Sequence, residues 1–144
     1  MQAISLGHAG ILIRTRGITI VCDPWFVPAF FGSWFVFPRN DQLPPDIMHD
    51  VCNPDFLYIS HLHGDHFDAA FLAEKMNKNT TVLLPDFPTR EMEREFNKLG
   101  FRTFERTINA TEPNSWRRPL RCATGRTCWP NHAAACGADD RAYH

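Results

Sequence analysis

The chain has 144 residues, a length that suits one domain, and carries 15 Lys and Arg against 16 Asp and Glu for a net charge of −1. That balance leaves no basic footprint, so no nucleic-acid partner is expected. Hydrophobic residues make up 44% of the sequence, the share of an ordinary globular protein.

Met1 leads almost directly into a strand, leaving no room for a basic n-region or an apolar h-region, so a secretory signal is not expected. Ala3–Leu6 and Gly10–Thr15 read as two strands joined by the turn Gly7-His8-Ala9, and Arg16-Gly17 turns the chain into a third strand, Ile18–Cys22. Trp25, Phe26, Phe30, Phe31, Trp34, Phe35 and Phe37 then crowd between Pro24 and Pro38. The apolar stretch from Val21 to Pro38 contains Asp23 and three prolines, which rules it out as a membrane-spanning helix. Its simplest reading is a packed cover over the sheet; the functional alternative is an apolar wall of a substrate pocket, or a subunit or membrane-surface contact. A cytoplasmic location is the expectation. Gln42–Asn53 is polar and contains prolines, so it reads as a loop with at most one helical turn, and His49 within it as solvated.

Phe56–Ser60 is short, rich in aromatic and β-branched residues, and follows the breaker pair Asn53-Pro54, so it reads as a buried strand. Asp68 is a candidate N-cap for a helix running to about Asn77, with Leu72 and Met76 four apart. Thr80–Leu84 reads as a strand. Thr89–Leu99 reads as a helix with Met92, Phe96 and Leu99 on one stripe and Gly100 as its stop, and Phe101–Glu105 as a last strand. The order, a hairpin, a strand and then βαβαβ, predicts a mixed α/β sheet. The five cysteines form no C-x-x-C pair; Cys22 and Cys52 read as small buried hydrophobes.

The chemistry concentrates in His61-Leu62-His63-Gly64-Asp65-His66, directly after the buried strand. In extended backbone, residues two apart point the same way, so His61 and His63 can present imidazoles to one point while Leu62 turns to the core. Gly64, lacking Cβ, can take the tight conformation that reverses the chain and aims Asp65 and His66 back at nearly the same place. Imidazole nitrogen and carboxylate oxygen suit zinc, with manganese or iron(II) as alternatives. Two such ions about 3.5–4 Å apart can share a bridging hydroxide, a nucleophile at neutral pH. The duller reading, a polar loop with coincidental histidines, fits this strand-to-loop context poorly.

His-x-His-x-Asp-His after a hydrophobic strand resembles the metallo-β-lactamase superfamily. Leu6-Gly7-His8-Ala9-Gly10-Ile11-Leu12-Ile13, Ile20-Val21-Cys22-Asp23-Pro24-Trp25-Phe26 and Ile59-Ser60-His61-Leu62-His63 resemble the branch containing CMP-N-acetylneuraminate hydroxylase, the ascorbate-phosphate lactonases and N-acyl-phosphatidylethanolamine phospholipase D. The resemblance runs from Gln2 to about Glu112. It implies the first half of an αβ/βα sandwich over residues 1–112 and one or two zinc ions held by His61, His63, Asp65 and His66. Asp65 doubles as the candidate catalytic carboxylate. A metal-bound hydroxide would attack an ester, lactone or phosphodiester of a small phosphorylated or nucleotide-linked substrate. The resemblance also implies that Asp23 orients a ligand histidine, against the simpler reading of a turn-starting Asp-Pro. His8 is either a substrate or ligand-supporting contact or a structural part of its turn. Two alternatives stand: an iron-using oxygenase component like the sialic-acid hydroxylase, and a non-catalytic remnant or subunit completed by another chain, with a homo-oligomer as one form of it. The Cys-x-His and Cys-x-x-His elements of a Rieske cluster do not occur.

From Pro113 to His144 the text holds no Ile, Val, Phe, Met, Lys or Glu, yet five arginines, three of the five cysteines and two of the four tryptophans. No period of 2 or 3.6 survives there, and residues 113–144 read as an irregular, unstructured tail. Its composition resembles GC-rich DNA translated in the wrong frame, so a frameshift near residues 107–114 is the expectation; translating the other two frames tests it. In the superfamily another histidine, a bridging aspartate and a final histidine come from the second half. His132, Asp139, Asp140 and His144 have suitable atoms but no strand before them to place them, and are not expected to take part.

Overall fold

In the computed structural model, which describes residues 1–107 and the backbone of residues 120–121 and 127–128, six strands form one mixed sheet in the order β1-β2-β3-β4-β5-β6. The first three, β1 (Gln2–Gly7), β2 (Gly10–Thr15) and β3 (Ile18–Cys22), make an antiparallel meander. Then β4 (Phe56–Tyr58), β5 (Thr81–Leu84) and β6 (Phe104–Arg106) add in parallel to β3. Helices α1 (Pro45–Cys52), α2 (Ala69–Glu74) and α3 (Glu91–Lys98) connect them in turn. Beyond these, β7 (Leu120–Arg121) and β8 (Thr127–Cys128) pair as a small antiparallel ladder; the rest of the expected tail lies outside the described residues.

The period of two along each strand sorts the core. Leu12, Val21, Leu57 and Val82 are paired neighbours across the sheet and meet Ile47 and Val51 of α1, Phe71 and Leu72 of α2, and Met92 and Phe96 of α3 in one buried cluster. The alternate positions Phe56 and Leu83, with Ile18, Ile20 and Tyr58 half-buried around them, form a separate apolar patch.

Three differences from the sequence reading have a clear physical reason. The segment Gln42–Asn53 is not a loop: α1 has eight residues, with Pro45 at a first-turn position where its missing N–H costs nothing. Ile47 and Val51, four apart, bury one face, while Arg14 of β2 pairs with Asp50 at 2.7 Å and Asp46 at 3.5 Å. His49 is exposed as expected, but on this helix. The strand β4 ends at Tyr58 rather than Ser60, because Asp23 takes over: its N–H donates to Tyr58 O at 3.0 Å and its carboxylate accepts from Ser60 N–H at 2.7 Å. The last strand starts at Phe104 rather than Phe101. Phe101 N–H donates back to Phe96 O across the left-handed Gly100, and the two rings meet edge to face, closing α3 in a Schellman motif.

The aromatic segment is only partly a cover. Trp25, Ala29 and Val36 make a small buried cluster, and Phe26 stacks on Phe71 at 4.3 Å. Phe30, Phe31, Trp34, Phe35 and Phe37 point into solvent instead. Among the described residues no helix is long and apolar enough to cross a membrane.

Candidate metal centre

Because β1 and β3 both run antiparallel to β2, the β1–β2 turn and the carboxyl ends of β3, β4 and β5 lie along one edge of the sheet. Open α/β sheets bind ligands along such an edge. His8 comes from the turn, Asp23 follows β3, and His61 to His66 follow β4, so the topology delivers every candidate residue to one place.

Asp23 is the organising carboxylate. It is buried, and its oxygens accept from Ser60 N–H and Ser60 O–H, both at 2.7 Å, and face His66 Nδ1 at 3.0 Å. Ser60 Oγ also lies 2.9 Å from His61 Nδ1 and 3.2 Å from His66 Nδ1. With Nδ1 occupied on this side, His61 and His66 are left to present Nε2 outward. A carboxylate behind an imidazole fixes the tautomer that ligation needs. Neither Ser60 nor Asn40 was singled out in the sequence. Asn40 is buried and donates to Leu6 O at 3.0 Å and Trp25 O at 2.7 Å, tying the end of β1 to the segment after β3. The family text Ile59-Ser60-His61 was the available signal for Ser60; for Asn40 there was none.

The outward donors fall into two groups. His61 Nε2 and His63 Nδ1 stand 3.1 Å apart. Opposite them, ligand atoms of His8, Asp65 and His66 all lie within 4.8 Å of one another. His8 Nε2 is 3.0 Å, and His66 Nε2 3.6 Å, from Asp65 Oδ2. The His61 and His66 rings, 4.1 Å apart at their centroids, bridge the groups. The His61 imidazole is held below its ordinary pKa, first by burial and then by His66 and His63, against the opposing pull of Asp23 and Asp65. A neutral imidazole is the form that binds a metal. Imidazole nitrogens at close range, one buried carboxylate and a second carboxylate behind His66 fit a divalent cation.

The turn expected at Gly64 works differently. Gly64 is not left-handed, and a Cβ there would meet Ala29 Cβ at an ordinary 3.5 Å. The reversal is made by His66 N–H and Phe67 N–H donating to His63 O. Left-handed backbone sits instead at Gly7, His8 and Asp23. Asp68 caps α2 through Phe71 N–H at 3.0 Å and also accepts from Phe26 and Val27 N–H, which pins the aromatic segment to the site. Beside the histidine pair, a cleft of about 240 Å³ is lined by His61, Leu62, His63, Phe87, Thr89, Glu91 and Met92. Cys22 and Cys52 are reduced and half-buried, with thiol pKa values raised first by burial, and neither contributes to the ligand group.

Comparison with known proteins places this arrangement. A Mycolicibacterium smegmatis protein, provisionally named a Rieske 2Fe-2S iron-sulfur protein, is 51% identical over 112 residues, covering 78% of this chain and 21% of the relative. N-acyl-phosphatidylethanolamine-hydrolyzing phospholipase D 1 of Caenorhabditis elegans is 37% identical over 78 residues, covering 54% of this chain and 22% of that protein. The chain thus spans about a fifth of the length of these curated relatives. The structure of a possible metal-dependent hydrolase from Veillonella parvula superposes with a TM-score of 0.52 over 74% of this chain and 42% of that one, at 20% identity, a likeness of fold. The profile of the beta-lactamase superfamily domain matches residues 3–120, most of the sequence and all six strands of the sheet, so the chain belongs to the beta-lactamase superfamily.

Proposed function

We propose that this chain is the metal-binding part of a cytoplasmic hydrolase acting on an ester, lactone or phosphodiester of a small phosphorylated or nucleotide-linked molecule, with one or two zinc ions as cofactor and manganese or iron as alternatives. The observation that carries the reading is the convergence of His61, His63, Asp65 and His66 at the carboxyl edge of β4, with Asp23 and Ser60 holding two of the imidazoles from behind. When bound, such an ion supplies Lewis acidity and brings the pKa of a water to near neutrality. His61, His63 and His66 hold their nitrogens towards the metal position. Asp65, buried at 7% exposure, can ligate through one carboxylate oxygen and accept a proton from the attacking water through the other. The cleft beside His63 receives the substrate, with Phe87 and Met92 as its apolar wall and Glu91 at its rim. At about 240 Å³ it falls below the ~300–1,000 Å³ of most complete small-molecule sites, which favours a small substrate or a wall supplied from elsewhere. The names of the Caenorhabditis and Veillonella proteins support hydrolysis.

The test is metal content of the purified chain followed by turnover of chromogenic carboxylate esters, lactones and phosphodiesters. Zinc or manganese with turnover that His61→Asn and His63→Asn abolish supports the proposal; metal without turnover of any substrate class refutes hydrolysis by this chain. A second reading, an oxygenase component using iron, is favoured by the name of the mycobacterial relative; it requires iron in the purified protein and a partner to deliver electrons. A third, a subunit completed by another chain, is favoured by the cleft beside the His61 and His63 pair, which falls below the ~300–1,000 Å³ of most complete small-molecule sites. Metal-free monomers in sedimentation would exclude ligands lent between copies.

A further inference from the structure

The β1–β2 turn carries more constraint than a hairpin requires. Gly7 is left-handed at φ 91° and so is His8 at φ 51°, a conformation in which histidine is strained and glycine is not. The turn is also wedged: a Cβ on Gly7 would lie 2.5 Å from Val36 Cγ2, and one on Gly10 3.0 Å from Leu6 Cβ. Strain held at a non-glycine residue by tight packing on both sides calls for a functional account of its side chain. The His8 ring is fixed by edge contacts to Trp25 and His66, with centroids at 5.1 and 5.2 Å, and its Nε2 faces Asp65.

The distances bear on what Nε2 does there. Ligands at about 2.0–2.1 Å from a tetrahedral zinc lie roughly 3.3–3.4 Å from one another. The Asp65 Oδ2 distances to His8 Nε2 and His66 Nε2, 3.0 and 3.6 Å, bracket that value. His66 Nδ1 is turned to Asp23, so its Nε2 is the nitrogen presented to the group. His61 and His63 together supply only two nitrogens at their own position.

We infer that His8, Asp65 and His66 form a three-ligand divalent-cation site, in which His8 is a ligand in its own right rather than a hydrogen-bond support for Asp65. The inference rests on the metal reading of the site but not on hydrolysis. The described residues then hold one ion without a ligand from elsewhere.

The experiment uses the full chain in a His61→Asn/His63→Asn background, so that only this group remains. Zinc affinity is measured by chelator competition, and X-ray absorption at one equivalent counts imidazoles per zinc. The expected result is one bound zinc with two imidazoles. Adding His8→Gly should reduce affinity by about 100-fold and lower the count to one. Glycine relieves the left-handed strain, so the apo melting temperature should stay level or rise, which separates lost ligation from lost folding. His8→Asn, which also tolerates that backbone, should behave the same way. An imidazole count unchanged by either substitution, or a background variant that binds no zinc, overturns the inference. A chain that passes this test yet hydrolyses nothing refutes the proposed activity alone.

Discussion

Asp23→Ala removes the acceptor of Ser60 N–H and Ser60 O–H and the partner of His66 Nδ1 at a position only 6% exposed. The losses are unequal. Ser60 Oγ keeps His61 Nδ1 at 2.9 Å, so the hydroxyl can rotate and remain bonded. Ser60 N–H sits where β4 leaves the ladder, and an orphaned buried donor costs about 1–3 kcal/mol. Asp23 is left-handed at φ 42°, which alanine tolerates less well than aspartate by up to about 1 kcal/mol. The sum is a destabilisation of about 1–4 kcal/mol, a sizeable fraction of an ordinary domain's stability. Asp23→Asn separates the two roles. Its carbonyl oxygen can still accept from Ser60 N–H, so the stability loss should stay near 1 kcal/mol. Its NH2 group then faces His66 Nδ1, a donor against the position where the imidazole proton sat. The proton must move to Nε2, the nitrogen the metal needs. Urea denaturation of the apo protein should therefore rank Asp23→Ala well below Asp23→Asn, while chelator competition should show both losing zinc affinity by about 10–100-fold. Parental zinc affinity in Asp23→Asn would refute the view that Asp23 sets the His66 tautomer.

Three further outcomes follow from the packing and titration of the same structure. Phe96 is fully buried with its edge on Phe67 and Phe101, so Phe96→Ala should cost about 3–5 kcal/mol in urea denaturation; a loss under about 1 kcal/mol would show that α3 is not docked as described. The His61 pKa is depressed in the folded chain, so between its unfolded value of 6.5 and the lower folded value the unfolded state binds more protons. Apo stability should accordingly fall as pH drops through about 6.5, and His61→Asn should flatten that slope; an equal slope in the variant counts against the assignment. Phe31 and Phe37 are 109% and 82% exposed, so replacing both by serine should change unfolding free energy by no more than about 0.5 kcal/mol and reduce self-association in sedimentation velocity. A larger stability loss would place these rings in the core instead.

What the sequence made legible is what local pattern determines. The strands Gly10–Thr15 and Ile18–Cys22 were bounded to the residue, because β-branched alternation is interrupted there only by the turn signal Arg16-Gly17. In the hexapeptide the same local spacing leaves His61 Nε2 and His63 Nδ1 3.1 Å apart. Helix α1 was missed because its apolar face is only Ile47 and Val51; the ion pairs to Arg14 that complete its docking span more than 30 residues and leave no periodic trace. Asn40 was invisible for the same reason, and so was the role of Ser60, as their partners Leu6, Trp25 and Asp23 are brought near by topology rather than by sequence. His8 was left open between a turn role and a site role. Only the strand directions, which carry the β1–β2 turn to the same edge as the end of β4, bring it to Asp65.

Those strand directions also make the site unequal. The group of His8, Asp65 and His66 lies against Trp25 and the aromatic segment, has a carboxylate among its donors, and has Asp23 behind it. The pair His61 and His63 lines the cleft and has imidazole nitrogens only. A cation at three donors including a carboxylate is held more tightly than one at two neutral imidazoles, because charge compensation and ligand number both favour it. On the inferred site the better-built position would therefore be the one away from the cleft, and the one beside the cleft would depend on further donors. This separates binding from turnover. On the proposed reading the described residues would retain an ion and keep its ligands ordered, while activation of substrate in the cleft would turn on how the His61 and His63 position is completed. Chelator titration should then release metal in two steps, the first abolishing any turnover and the second leaving the fold less stable.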